Sequence, residues 1–142
     1  MKILKYLFIL TSFMSLVNLA NAQEEATLQL GDTIYFDVCN GEQFTYIDYY
    51  HKTRFENDTL NLDSLNGWEF YNAFFGKGDF DVSRMPCRLS GKFGIIKHIM
   101  RVNIDSPDER TVVIAMIENG VSAAYIIDDA FMTDEVLYIP AK

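Results

Sequence analysis

Apolar and β-branched residues run in short stretches along most of this chain, which is the spacing of strands rather than of long helices. Residues 33–39 (TIYFDVC), 42–50 (EQFTYIDYY), 92–102 (KFGIIKHIMRV), 111–118 (TVVIAMIE) and 121–127 (VSAAYII) are such stretches. Their side chains suit a pleated, half-buried surface. Asn40-Gly41 separates the first two and Asn119-Gly120 the last two. Asn and Gly tolerate the positive φ that both central residues of a type I′ turn require, so each pair predicts a β-hairpin. Asp105-Ser106-Pro107-Asp108 marks a loop ahead of 111–118, which predicts a three-stranded antiparallel meander over 92–127. Residues 111–117 are apolar on both faces, as befits a central strand covered on each side.

Residues 55–80 break this pattern. Asn57, Asp58, Asn61, Asp63, Ser64 and Asn66 give a loop-like start, and Trp68, Phe70, Tyr71, Phe74 and Phe75 then arrive together. Trp68, Tyr71 and Phe75 stand at i, i+3 and i+7, which predicts a helix that Ser64 or Asn66 caps and Gly76 ends. A second short helix is expected after Asp128-Asp129, whose carboxylates suit a helix start, running to about Val136. Leu137-Tyr138-Ile139 reads as a terminal strand stopped by Pro140. The expectation is a mainly β, α+β fold: one compact domain of about five or six antiparallel strands with one or two short helices. Either a sheet packed on helices or a small, partly open barrel of the oligonucleotide/oligosaccharide-binding type is compatible with that count.

The first 22 residues stand apart. Lys2 and Lys5 are followed by a nearly wholly apolar run from Tyr6 to Leu19, and then by Ala20-Asn21-Ala22. Basic, apolar and small-x-small segments in that order predict a cleaved secretory signal peptide. The apolar run is short for a bilayer span, which takes about 20 residues. No cysteine lies near the cleavage point, so the usual bacterial lipoprotein anchor is not expected. The domain is then 23–142, exported to a periplasm or beyond, with no stable membrane insertion.

Charge and cysteine usage follow from that division. The whole chain of 142 residues has a net charge of -8, with 49% hydrophobic and 23% charged residues, a globular composition. Residues 23–142 hold ten basic against twenty acidic side chains, a net charge of -10. Such a field repels phosphate backbones, so no nucleic-acid partner is expected. Cys39 and Cys87 form an even pair in an exported chain, which makes them a disulfide candidate; two buried free thiols are the alternative.

The inventory of chemical groups points away from an enzyme. His51 and His98 could in principle form a dyad with a cysteine, but neither cysteine has a local signature and no Gly-x-Ser-x-Gly elbow exists. His98 reads as a packed or surface histidine within a strand. No zinc spacing occurs. Asp79 and Asp81, near Gly76 and Gly78, are weak candidate calcium ligands without the closing glutamate, and solvated turn acids describe them as well. Gly76-Lys77-Gly78 lacks the spacing of a phosphate-cradling loop, and no cofactor motif is present.

Two features remain. From Val82 to Ile104 there is no acid, yet Arg84, Arg88, Lys92, Lys97 and Arg101 occur, half of the basic residues of 23–142. Such a segment either forms a basic stripe for a partner or pairs with acids inside the fold. Ten aromatic rings also fall between Phe44 and Phe75, and aromatic rings serve both cores and binding surfaces. Tyr49, Tyr50 and Trp68 adjoin polar, turn-rich sequence. With Arg84, Arg88, Lys97 and Arg101 they form the candidate contact set for a protein or glycan partner. The expected function is a small exported binding or accessory domain. The alternatives are a small hydrolytic enzyme working through carboxylates, such as Asp79 and Asp81, and a structural subunit of an envelope assembly.

Overall fold

A computed structural model describes residues 27–54, 61–76, 78–117 and 121–140. The leader segment and the Asn119-Gly120 turn lie outside the described residues. The elements are β1 (Thr33–Phe36), β2 (Gln43–Arg54), α1 (Gly67–Phe75), β3 (Asp79–Pro86), β4 (Phe93–Val102), β5 (Arg110–Ile117), β6 (Ser122–Ile127), α2 (Asp129–Met132) and β7 (Val136–Tyr138). Short 3-10 turns at Leu62–Ser64 and Cys87–Leu89 precede α1 and β4.

These seven strands form one antiparallel sheet in the order β3-β2-β6-β5-β4-β1-β7. The sheet does not pair between β3 and β7, so it is not a closed barrel, and helices pack on it. The meander of β4, β5 and β6 runs as its pattern predicts, with β5 central and apolar on both faces. Strand β3 was not predicted. Its carboxylates at Asp79 and Asp81 resemble turn acids, but charged side chains are how an exposed edge strand avoids unwanted pairing.

The first expected hairpin does not form. β1 pairs with β4 and β7, and β2 pairs with β3 and β6, so the chain around Asn40-Gly41 carries it from one part of the sheet to another. Gly41 adopts a φ of 102° at the bend, as the turn chemistry requires. A local signal for a bend does not specify which strands pair after it.

Each face of the sheet carries its own core. On one face lie Ile34, Phe36, Phe44, Ile47, Ile96 and Val113 among others, closed over by α2 through Ala130. Helix α1 covers the other, hereafter the α1 face, driving Phe70 and Phe74 onto Val112, Ile114, Met116 and Ala123. Phe70 and Phe74 are one turn apart, so they share the buried side of the helix. The predicted stripe of Trp68, Tyr71 and Phe75 lies beside that contact and stays partly or largely exposed. α2 stops at Met132, where Asp134 takes a φ of 60° and β7 begins at Val136, earlier than the sequence pattern suggests.

Two long-range links tie the ends of the sheet together. Cys39, after β1, is bonded to Cys87, after β3, with Cα atoms 5.6 Å apart. Glu135, just before β7, is buried; its carboxylate accepts hydrogen bonds from the Thr45 and Tyr46 amides of β2 at 2.7 and 2.9 Å. These amides fall where the β2–β3 register shifts, ahead of the residues that pair with β6. The carboxylate therefore stands in where strand partners are missing.

Candidate functional site

Strand β4 carries the irregularity that builds the site. Ile96 pairs with Ala115 and His98 with Ile114, so Lys97 is an extra residue in the ladder. Such a bulge re-aims side chains and recurs beside functional sites. Here it turns both Lys97 and His98 towards the α1 face. The Lys97 ammonium donates to the Asp63 carbonyl at 2.7 Å and lies 5.9 Å from the Phe70 ring centre. Asp63 is held for this by the preceding turn, since the Asn61 side chain accepts from its amide at 3.1 Å.

His98 lies beneath Trp68, the chain's one tryptophan, with ring centres 4.5 Å apart, and beside Tyr71 at 5.7 Å. It is only 5% exposed and its Nε2 has no hydrogen-bond partner. Trp68 is 60% exposed. Tyr71 meets the indole edge-on at 5.3 Å, so the indole is braced at its edge and over the imidazole while much of it faces solvent. From Tyr71 a row of rings continues through Phe75 at 4.9 Å to Tyr50 at 5.1 Å and Tyr125 at 6.2 Å.

Register aligns the polar members of the site. Arg84, Asp48, Tyr125, Ile114 and His98 stand directly opposite one another on β3, β2, β6, β5 and β4. At roughly 4.8 Å per strand this row crosses about 19 Å of sheet. Arg84 and Asp48 pair at 3.2 Å at one end, and Trp68 overhangs the other. Burial, then the Asp48 carboxylate and the Tyr71 hydroxyl, push the Tyr50 phenol above its usual value; burial, then the Tyr50 and Tyr71 hydroxyls and Asp48, do the same to Tyr125. Three phenols and one carboxylate therefore crowd together beside α1.

Burial also pushes the His98 imidazole below its usual value. The unfolded chain takes up that proton near pH 6.5 while the folded chain resists it, so stability is full above about pH 6.5 and falls as pH drops below it. His98→Phe keeps a ring under Trp68 and removes both the titration and the unpaired nitrogen. Lowering the pH from about 7.5 to about 5.5 is expected to reduce the melting temperature of the natural protein more than that of the variant. Parallel losses would contradict this role for His98.

The sequence-derived residues are not all brought together. Tyr50, Trp68, Lys97 and Arg84 belong to the α1 face, with Lys97 buried at 4% exposure. Tyr49 packs against the opposite core, and Arg101, an ion-pair partner of Glu109, falls on that side by strand alternation. Arg88 sits exposed in the turn after β3, beside the disulfide. Arg84 and Arg101 are thus paired to acids inside the fold. Asp79 and Asp81 are exposed on the edge strand β3 rather than in a turn. Among the described residues no three His, Cys, Asp or Glu side chains converge as a metal-binding group.

Asp48, Tyr71, His98 and Tyr125 were not among the sequence candidates. One signal was present for His98. In Ile95-Ile96-Lys97-His98-Ile99-Met100 the strand alternation gives way to doublets, the trace a bulge leaves in sequence.

Two other surfaces have shape without comparable chemistry. A pocket of about 540 Å³ lies between Leu28, Val113, Phe131, Met132 and Tyr138. Most of its polar groups are engaged within the fold: one Asp128 carboxylate oxygen accepts from the Thr111 amide at 3.1 Å while the other, 3.9 Å from Arg110, has no hydrogen-bond partner, and the Tyr138 hydroxyl bonds Asp32 and the Thr27 carbonyl. Towards the β7 edge of the sheet Phe93, Tyr35 and Leu137 stand opposite one another on β4, β1 and β7, all exposed. Among the described residues no helix is long and apolar enough to cross a membrane. Comparison with protein-family models, curated protein sequences and solved structures gave no match, leaving the geometry of the α1 face as the guide to function.

Proposed function

We propose that this chain is an exported binding domain without a catalytic centre, and that a protein or glycan partner docks on the α1 face around Trp68. The observation that carries this is a tryptophan 60% exposed yet braced by Tyr71 and a buried histidine. Rigid aromatic anchors of this kind dominate binding energies, because little conformational freedom is lost when they are covered. The leader pattern of residues 1–22 and the Cys39–Cys87 bond support export, since disulfides persist in oxidising compartments. Trp68→Ala leaves the core intact and is expected to weaken partner binding about thirtyfold, as loss of an anchor worth about 2 kcal/mol does. Pull-down from the native envelope or medium with both forms checks this. Identical partner profiles would remove the face from consideration.

A second reading, a subunit of an envelope assembly, is favoured by the Phe93, Tyr35 and Leu137 row beside the open edge of β7. Exposed apolar rows mark association surfaces. On that reading the purified domain forms a concentration-dependent oligomer by light scattering, and Leu137→Lys makes it monomeric. A monomer at all concentrations would dismiss it.

A further inference from the structure

We infer that the α1 face takes an uncharged oligosaccharide laid across the strands, stacked on Trp68 and hydrogen-bonded by Asp48, Arg84 and the phenols between them. This deepens the docking role proposed above and rests on it. The C–H faces of a sugar ring are apolar and slightly positive, which complements the negative face of an indole. Trp68 offers such a platform already oriented, with Tyr71 at its edge and His98 beneath.

Beyond the indole the groups differ in hydrogen-bonding character. Arg84 only donates, Asp48 as a carboxylate only accepts, and the Tyr50, Tyr71 and Tyr125 hydroxyls do both. Sugar hydroxyls also do both, so a hydroxyl-rich chain can satisfy every one of them. His98 adds a second, independent pointer. Its Nε2 is buried without a partner under the platform, a state that costs about 1–3 kcal/mol and that a hydroxyl reaching past the indole relieves.

Charge and direction argue against the competing ligands. Asp48 and Arg84 neutralise each other, Lys97 is turned under α1, and Arg101 lies on the other side of the sheet. No excess of either sign is left along the row for a polyanion or a polycation. A peptide adding a strand needs an open edge parallel to the strands. This row instead runs across them, and β2, β6, β5 and β4 already have neighbours on both sides.

The chain's one tryptophan makes the test direct, because tryptophan emission, excited selectively over that of the tyrosines, reports on Trp68 alone. The probes are oligosaccharides of β-1,4-linked glucose, xylose and mannose and of α-1,4-linked glucose. Electrophoresis in gels holding hydroxyethylcellulose, xylan, galactomannan or glycogen gives a second readout, with heparin as the polyanion. At least one neutral series is expected to shift the emission saturably, more tightly as the chain lengthens, and its polymer to retard the protein. Trp68→Ala loses the retardation, and Tyr125→Phe, which keeps the ring packing, weakens binding about tenfold. Retardation by heparin alone, or no response to any neutral glycan, overturns the assignment. If a native protein is then captured in a Trp68-dependent way, the docking face stands and its glycan does not. If capture is also indifferent to Trp68, both fall.

Discussion

Glu135→Ala is expected to lower the melting temperature by about 10 °C. The carboxylate is buried and accepts from two consecutive amides of β2, Thr45 and Tyr46. Consecutive amides of a strand point to opposite edges, so binding both with one group requires the local irregularity that the β2–β3 register shift provides. Alanine leaves both donors without their acceptor and opens a gap between α2, β7 and β2. Hydrogen bonds to charged groups are worth about 1.5–3 kcal/mol each, and partial access of water at Thr45 offsets some of the loss, leaving about 3 kcal/mol. Glu135→Gln keeps the volume but presents an amide donor to one of the two N–H groups, so it recovers only part. Thermal unfolding of the three proteins checks this. A glutamine variant as stable as the natural protein would contradict the two-amide role.

The double substitution Cys39→Ser/Cys87→Ser has a comparable effect by a different route. The bond closes a loop between residues 48 positions apart. On the chain-entropy model, opening such a loop in the unfolded state lowers stability by about 4 kcal/mol. In the folded state the bond joins the end of β1 to the end of β3, strands that are not neighbours in the sheet order. Urea unfolding is expected to show a lower midpoint and a steeper dependence on denaturant, because the uncrosslinked chain exposes more surface. An unchanged midpoint would mean that the bond does not constrain the unfolded protein.

The β-rich class and the central meander could be read from the chain because they rest on local signals. Residues 111–117 are apolar on both faces and are bounded by turn formers, which fixes a buried central strand with little reference to the rest of the fold. The helix over Gly67–Phe75 was legible as well, but its buried side was not. Trp68, Tyr71 and Phe75 on one side and Phe70 and Phe74 on another satisfy helical spacing, and only the position of the sheet decides which set enters the core. The partners of β1 were hidden for the same reason. A turn at Asn40-Gly41 is local, whereas pairing with β4 and β7 brings together residues far apart in sequence.

The candidate site was legible only in part. Trp68 and Tyr50 stood out as aromatic residues beside polar sequence, and both lie on the α1 face. Asp48 and Tyr125 carried no local mark of relevance, and His98 only the doublets of the β4 bulge, since it is the register of four strand pairs that lines them up. The basic segment was visible as a charge pattern, but alternation and the β4 bulge send Arg84, Lys97 and Arg101 to different surroundings.

The claim that the ligand meets this protein at Trp68 is tested most directly by two-dimensional ¹H–¹⁵N NMR of the labelled domain. The lone indole N–H gives a single, assignable signal, which is followed as the partner-bearing fraction of the envelope or medium is added. The indole signal is expected to move together with the amides of Tyr71, His98 and Tyr125, while those of Tyr35, Phe93 and Leu137 stay in place. Movement centred on Phe93 and Leu137, with the indole unaffected, would contradict it.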